Sequence, residues 1–144
     1  MSDLLTLHRY YIWANRMRIL FGHAQDEFVR REGRITTQEK WTKYFAGDSG
    51  TFMSYWYGGL FVIIEGWIEL ALHDPDIDRL LDSPNVELLK RYRNGVFHFQ
   101  RDYLDERFFR FFEASDTATW VHELNNNLGR FFKQKISQKL SQNT

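Results

Sequence analysis

The sequence predicts an all-α fold, an up-and-down bundle of four main helices joined by short connecting helices, and three observations carry that expectation. Apolar residues recur at the 3.6-residue spacing of a helix face over several long segments. Only two prolines interrupt 144 residues, although the aromatic content is a high 17%. No stretch alternates apolar and polar positions as a half-buried strand does, and no internal repeat is present. The length suits one domain, 1–144, with a core of its own.

The first helix is expected from an Asp3 N-cap to about Arg31, because Leu4, Leu7, Tyr11, Ala14, Met17 and Phe21 fall on one face. Between Gly33 and Gly50 the periodicity fades and glycines punctuate the chain, which predicts a packed loop with room for one helical turn around Trp41, Tyr44 and Phe45. Thr51 to Leu72 is apolar nearly all round, the mark of a central helix touched on several sides, and Gly58, Gly59 and Gly66 allow neighbours to approach closely. Asp74-Pro75 stops it, and Asp76 to Leu81 reads as a short connecting helix. A third main helix is expected from Pro84 to about Phe99, with Asp102 to Glu113 extending it after a kink. The Ser115-Asp116-Thr117-Ala118 run signals the start of the last helix, whose Trp120, Leu124, Leu128, Phe131 and Phe132 keep helical spacing up to a frayed tail, 137–144.

Composition narrows the function classes. The absence of cysteine removes disulfides, thiolate metal sites and a thiol nucleophile, and points to a cytoplasmic address. The uncharged run Gly50 to Ile64 is too short for a membrane span, and the N-terminal residues lack the pattern of a signal peptide, so no membrane partner is expected. Nineteen basic and nineteen acidic residues cancel overall but not locally. Seven acidic residues face two basic ones between Gly50 and Lys90, whereas nine basic residues outnumber six acidic ones from Arg91 onward. An anionic partner would meet the second region.

That region holds the most informative stretch, Lys90-Arg91-Tyr92-Arg93-Asn94-Gly95-Val96-Phe97-His98-Phe99-Gln100. Continued as a helix, it puts Leu89, Tyr92, Val96, Phe99 and Tyr103 on a core stripe and Arg91, Asn94 and His98 on the opposite face, with Arg93 on the flank beside Phe97. An imidazole, a carboxamide and guanidinium groups together are suited to phosphodiester chemistry without a metal. Histidine can take the 2′-hydroxyl proton of RNA, and arginine can stabilise the charge that builds on phosphorus.

Arg93-Asn94-Gly95-Val96-Phe97-His98 resembles the R-N-x-x-x-H form of the signature of HEPN domains, all-α domains found in many metal-independent ribonucleases of toxin–antitoxin and phage-defence systems. The resemblance implies an endoribonuclease that needs no cofactor, with Arg93 and His98 catalytic and Asn94 orienting them. Arg91 and Arg101 are the candidate substrate-binding residues beside them. It also implies RNA as substrate, a homodimer whose two motif helices meet, and an antitoxin or regulatory protein as a further partner. Phe97 and Gly95, read as lying together on the outer surface, are where the twofold axis is expected. The alternative within the same resemblance is a catalytically inactive HEPN-type nucleotide- or RNA-binding or protein-interaction module. Outside it, Arg91, Arg93 and His98 would form an ordinary solvated face paired with Glu87 and Asp102.

Weaker signals compete. Glu65, Glu69 and His73 recur at i, i+4, i+8 and form a minor candidate for a metal site. His8, His23 and His122 are isolated from one another, so no histidine triad is expected. Phe108, Phe109, Phe111 and Phe112 read as core or interface, and the Asn125-Asn126-Asn127 run suggests no chemistry.

Overall fold

The computed structural model describes residues 2–142. Every regular element among them is a helix: α1 (Asp3–Glu32), α2 (Gln38–Ala46), α3 (Asp48–Glu69), α4 (Pro75–Leu81), α5 (Asn85–Phe97), α6 (Glu106–Glu113) and α7 (Thr117–Gln142). The four long ones, α1, α3, α5 and α7, form an up-and-down bundle, and side-chain contacts give the directions. Leu7 lies against Gly66 and Ala14 against Gly59, so α1 and α3 are antiparallel. Arg93 sits over Phe61 while Phe97, one turn later, lies against Gly58, so α5 reverses direction again. The ring pair His8–Phe132 and the Tyr11 hydroxyl against Gly129 run α7 opposite to α1. Helix α3 is central, with Trp56, Leu60, Ile63 and Trp67 all buried, as its all-round apolar sequence implies.

Local chemistry sets the helix ends. Ser2, not Asp3, caps α1: its hydroxyl accepts from the Leu5 N–H at 3.3 Å, and Asp3 becomes the first helical residue, where its charge suits the helix dipole. Gly33 closes the helix at φ 72°, a left-handed conformation that glycine adopts without strain. Asp74 caps α4 by accepting from the Asp76 and Ile77 N–H groups, with Pro75 in the first turn.

The expected loop at 33–50 instead contains α2, capped by the Thr37 hydroxyl, and the first residues of α3. A signal was present: Trp41, Tyr44 and Phe45 stand at i, i+3 and i+4, and all three pack on the core or into it. The corner between α2 and α3 is so tight that a Cβ on Gly50 would lie 2.5 Å from the Tyr44 carbonyl oxygen and 2.6 Å from the Phe45 Cα. The expected frayed tail is helical through Gln142, and its last two residues, 143 and 144, lie outside the described residues.

The largest departure concerns α5. It ends at Phe97, and His98 adopts an extended conformation (φ −115°, ψ 128°) as its C-cap. Asp102 to Glu113 therefore does not prolong it. A separate helix, α6, starts from an Asp105 cap and folds back over α5. The predicted core stripe is accordingly cut short. Leu89 and Tyr92 are fully buried, but Phe99 is 92% exposed and Tyr103 55% exposed, because both lie beyond the helix that would have turned them inward.

The asparagine run also carries more than its composition suggested. Asn125 is buried, accepts from Trp56 Nε1 at 3.1 Å and donates through Nδ2 to Asn15 Oδ1 at 3.0 Å, and that same oxygen accepts from Arg18 Nε at 2.8 Å. This polar chain fixes α1, α3 and α7 in one register, since a slip of one residue would leave a buried indole N–H without an acceptor.

Candidate functional site

The C-terminal turn of α5 presents three of the candidate residues. Arg93 lies on its flank with the side chain 20% exposed, its guanidinium 4.7 Å from the centre of the Phe61 ring on α3. Arg93 Nε donates to Asn94 Oδ1 at 3.1 Å, and Nη1 donates to Glu65 Oε1 at 2.6 Å. The Asn94 side chain thus holds Arg93 alone, and its backbone carbonyl accepts from the His98 N–H at 3.0 Å. His98 itself is exposed, and among the described residues its ring makes no hydrogen bond.

The helical alignment of Arg91, Asn94 and His98 does not survive, because His98 has left the helix. The structure brings Arg93 and Asn94 into contact and places His98 at the cap that follows them, with no bond from its ring to either. Arg91 pairs with Glu87 at 3.6 Å on the exposed face, and Arg101 is exposed in the next loop without an ion pair among the described residues. The solvated-face alternative is right about Glu87 and wrong about Arg93, whose carboxylate partner is Glu65.

The chain after His98 is held in place. Gln100 Nε2 donates to the His98 carbonyl at 3.0 Å, Arg107 Nη1 bridges Gln100 Oε1 and the Asp105 carboxylate, and Tyr103 donates to the Thr42 carbonyl on α2. Gly95 is not on an outer surface as expected. A Cβ there would lie 2.9 Å from the Phe108 ring, so α6 covers it and no second helix can approach on that side. Phe97 is half exposed, with its inner edge against Gly58 and its ring edge-on to Tyr55 at 5.8 Å. It forms one wall of an apolar groove of about 440 Å³ between α1 and α3.

The minor metal candidate falls on geometry. Glu65 is engaged by Arg93, α3 ends at Glu69, and His73 lies beyond a left-handed turn at Ala71 (φ 50°), where it meets Asp78 at 3.4 Å. Among the described residues no three His, Asp or Glu side chains are placed to hold a metal ion. The buried phenols are equally unsuited to proton transfer. Burial pushes Tyr92 well above its ordinary value, even though its hydroxyl partner Ser54, 3.1 Å away, acts in the opposite direction. Phe108 and Phe111 pack on Tyr92, and Phe109 and Phe112 pack on Trp41; Phe111 is buried in the core, and Phe108, Phe109 and Phe112 are partly buried.

Sequence reasoning misses Glu65 as the partner of Arg93, because the pair joins residues 28 positions apart and no local pattern encodes it. Chemically, the arrangement offers a guanidinium held by two hydrogen bonds with Nη2 unengaged, a carboxylate that compensates its charge, and an exposed imidazole without a hydrogen bond. No helix is long and apolar enough to cross a membrane among the described residues. No family model, curated protein or solved structure matches this chain.

Proposed function

We propose that this protein is a HEPN-like, metal-independent endoribonuclease that acts as a homodimer in the cytoplasm, under the control of an antitoxin or other regulatory protein. The observation that carries the proposal is the division of labour at the end of α5: Asn94 grips Arg93 through Nε, while His98 stands at the helix cap with its ring free. In the proposed reaction one His98 takes the proton from a ribose 2′-hydroxyl. O2′ then bonds to the adjacent phosphorus as the bond to O5′ breaks, and the departing O5′ takes a proton from the imidazolium of the second copy. Arg93 stabilises the charge on the phosphorane through its unengaged nitrogen. Arg91 and Arg101 meet flanking phosphates. A second copy supplies the second imidazole, and Phe99, the most exposed large apolar residue among those described, is the side chain it would cover.

Purified protein incubated with total RNA in EDTA tests this. Cleavage leaving 2′,3′-cyclic phosphate and 5′-hydroxyl ends, with DNA untouched, is the expected result. His98→Ala should abolish it while changing stability by less than about 0.5 kcal/mol, since the ring is exposed and unbonded. Arg93→Lys should not restore full activity to the position, because an ammonium cannot hold Asn94 and Glu65 with a planar fork. Products with 5′-phosphate ends, or activity that requires magnesium, would overturn the mechanism. The ion pair to Glu65 favours the second reading, a catalytically silent HEPN-type binding module, because a phosphate must displace a carboxylate to use Nη1. RNA binding without cleavage would establish that reading.

A further inference from the structure

The groove beside Phe97 is built for something flat. Its walls are Trp13, Tyr55 and Phe97, which are 53%, 52% and 50% exposed, and its floor is Gly58 and Gly59, whose missing side chains let Phe97 and Ala14 close against α3. One charged residue lines it, Arg16, whose guanidinium makes no ion pair among the described residues. Arg9 lies 4.9 Å over the Trp13 ring, adding a second positive charge to the same rim. The groove runs up to Phe97, and the next residue is His98. At its other end it meets a second hollow edged by Asp3, Glu65 and Glu69, which repels anions. A ligand that suits all of this is apolar and planar in its body, anionic on the Arg16 side, and continuous with the chain that reaches His98.

We propose that this groove is the base-binding subsite for single-stranded RNA: a nucleobase next to the scissile phosphate stacks among Trp13, Tyr55 and Phe97, and its phosphate is met by Arg16. The proposal rests on the ribonuclease or RNA-binding reading of His98 and Arg93, and names how their substrate is held. The walls offer rings and few hydrogen-bonding groups, so the subsite distinguishes bases by stacking area and favours purines over pyrimidines. It excludes duplex RNA, whose bases are already stacked and paired.

The test uses the full-length protein and a labelled 2′-O-methyl oligoadenylate of about twelve nucleotides, long enough to span a single-strand site. This strand lacks the nucleophile and cannot be cleaved, and an abasic strand of the same length is the control. Trp13→Ala and Tyr55→Ala should each weaken binding of the oligoadenylate by about tenfold, within the range that loss of one base–aromatic stack produces, and leave the abasic strand unaffected. Because Trp13 is the one exposed tryptophan of five, the bound oligoadenylate should also quench the intrinsic fluorescence, and Tyr55→Ala should reduce that quench. If Trp13→Ala and Tyr55→Ala bind normally while His98→Ala abolishes cleavage of unmodified RNA, the subsite is overturned and the ribonuclease reading stands. If the unaltered protein neither binds nor cleaves RNA, both fall. If either groove variant turns a dimer into a monomer on sedimentation, the groove is an interface between copies and the subsite is overturned.

Discussion

Arg93 Nη1 donates to Glu65 Oε1 at 2.6 Å, which ties the last turn of α5 to the centre of α3 and neutralises the one arginine that lies next to both Asn94 and the helix cap. The pair is part exposed, 20% on the arginine side and 51% on the glutamate side, so it contributes at most about 1 kcal/mol to stability and more to where the guanidinium points.

Glu65→Gln keeps the hydrogen bond and removes the charge. The variant should stay folded, lose no more than about 1 kcal/mol, and bind single-stranded RNA more tightly. Because one more cation becomes available to a phosphate, the slope of log affinity against log salt should steepen by about 0.7. A titration of oligonucleotide binding across salt concentrations measures it, and an unchanged slope would show that Arg93 meets no phosphate.

Two glycines should respond oppositely to alanine. Gly22 lies within α1, and a Cβ there would meet nothing within 4 Å, so Gly22→Ala should stabilise the protein by about 0.5–1 kcal/mol through helix propensity and a stiffer unfolded chain. Gly50→Ala pushes a methyl into the backbone of Tyr44 and Phe45, which cannot rotate away, and should cost about 1–3 kcal/mol. Urea midpoints of the two variants check both signs.

Asn125→Leu should cost about 1–3 kcal/mol, because Trp56 Nε1 is buried and loses its acceptor while Asn15 loses a donor. Equilibrium unfolding followed by tryptophan fluorescence measures it, and an unperturbed midpoint would mean that the polar chain adds nothing to holding α1, α3 and α7 together.

Acid should weaken the α4–α7 contact. Arg130 Nη2 donates to Asp74 Oδ1 at 2.8 Å and holds that carboxyl below its ordinary value of 3.8; burial acts against this, and the Ile77 and Asp76 N–H groups add to it. The folded value is therefore lower than the unfolded one, and the unfolded chain takes up the proton first. The stabilisation is fully present above the unfolded value and is lost as pH falls through the lower folded value. Asp74→Asn leaves a good N-cap and removes the charge, so it should be less stable than the unaltered protein at pH about 7, and the difference should shrink in thermal melts as pH falls below 3.8 and through the lower folded value.

The fold class was legible because it rests on local periodicity. Leu7, Ala14, Trp56, Leu60, Trp120 and Leu124 are spaced for one buried helix face wherever their helices pack, and all are buried. The Arg93–Asn94 contact was not legible from periodicity, because adjacent helical positions do not face each other. Where α5 stops was not legible either, since nothing in Val96-Phe97-His98-Phe99 breaks a helix by itself. It stops because α6 folds back with Phe108 against Gly95, and because Gln100, Tyr103 and Arg107 hold the connecting chain in another path. Tertiary packing alone decided the Arg93–Glu65 pair, the buried role of Asn125, and the groove floored by Gly58 and Gly59. Each joins residues far apart in the chain, and a side chain's partner across such a distance is chosen by how helices cross, which local sequence does not encode.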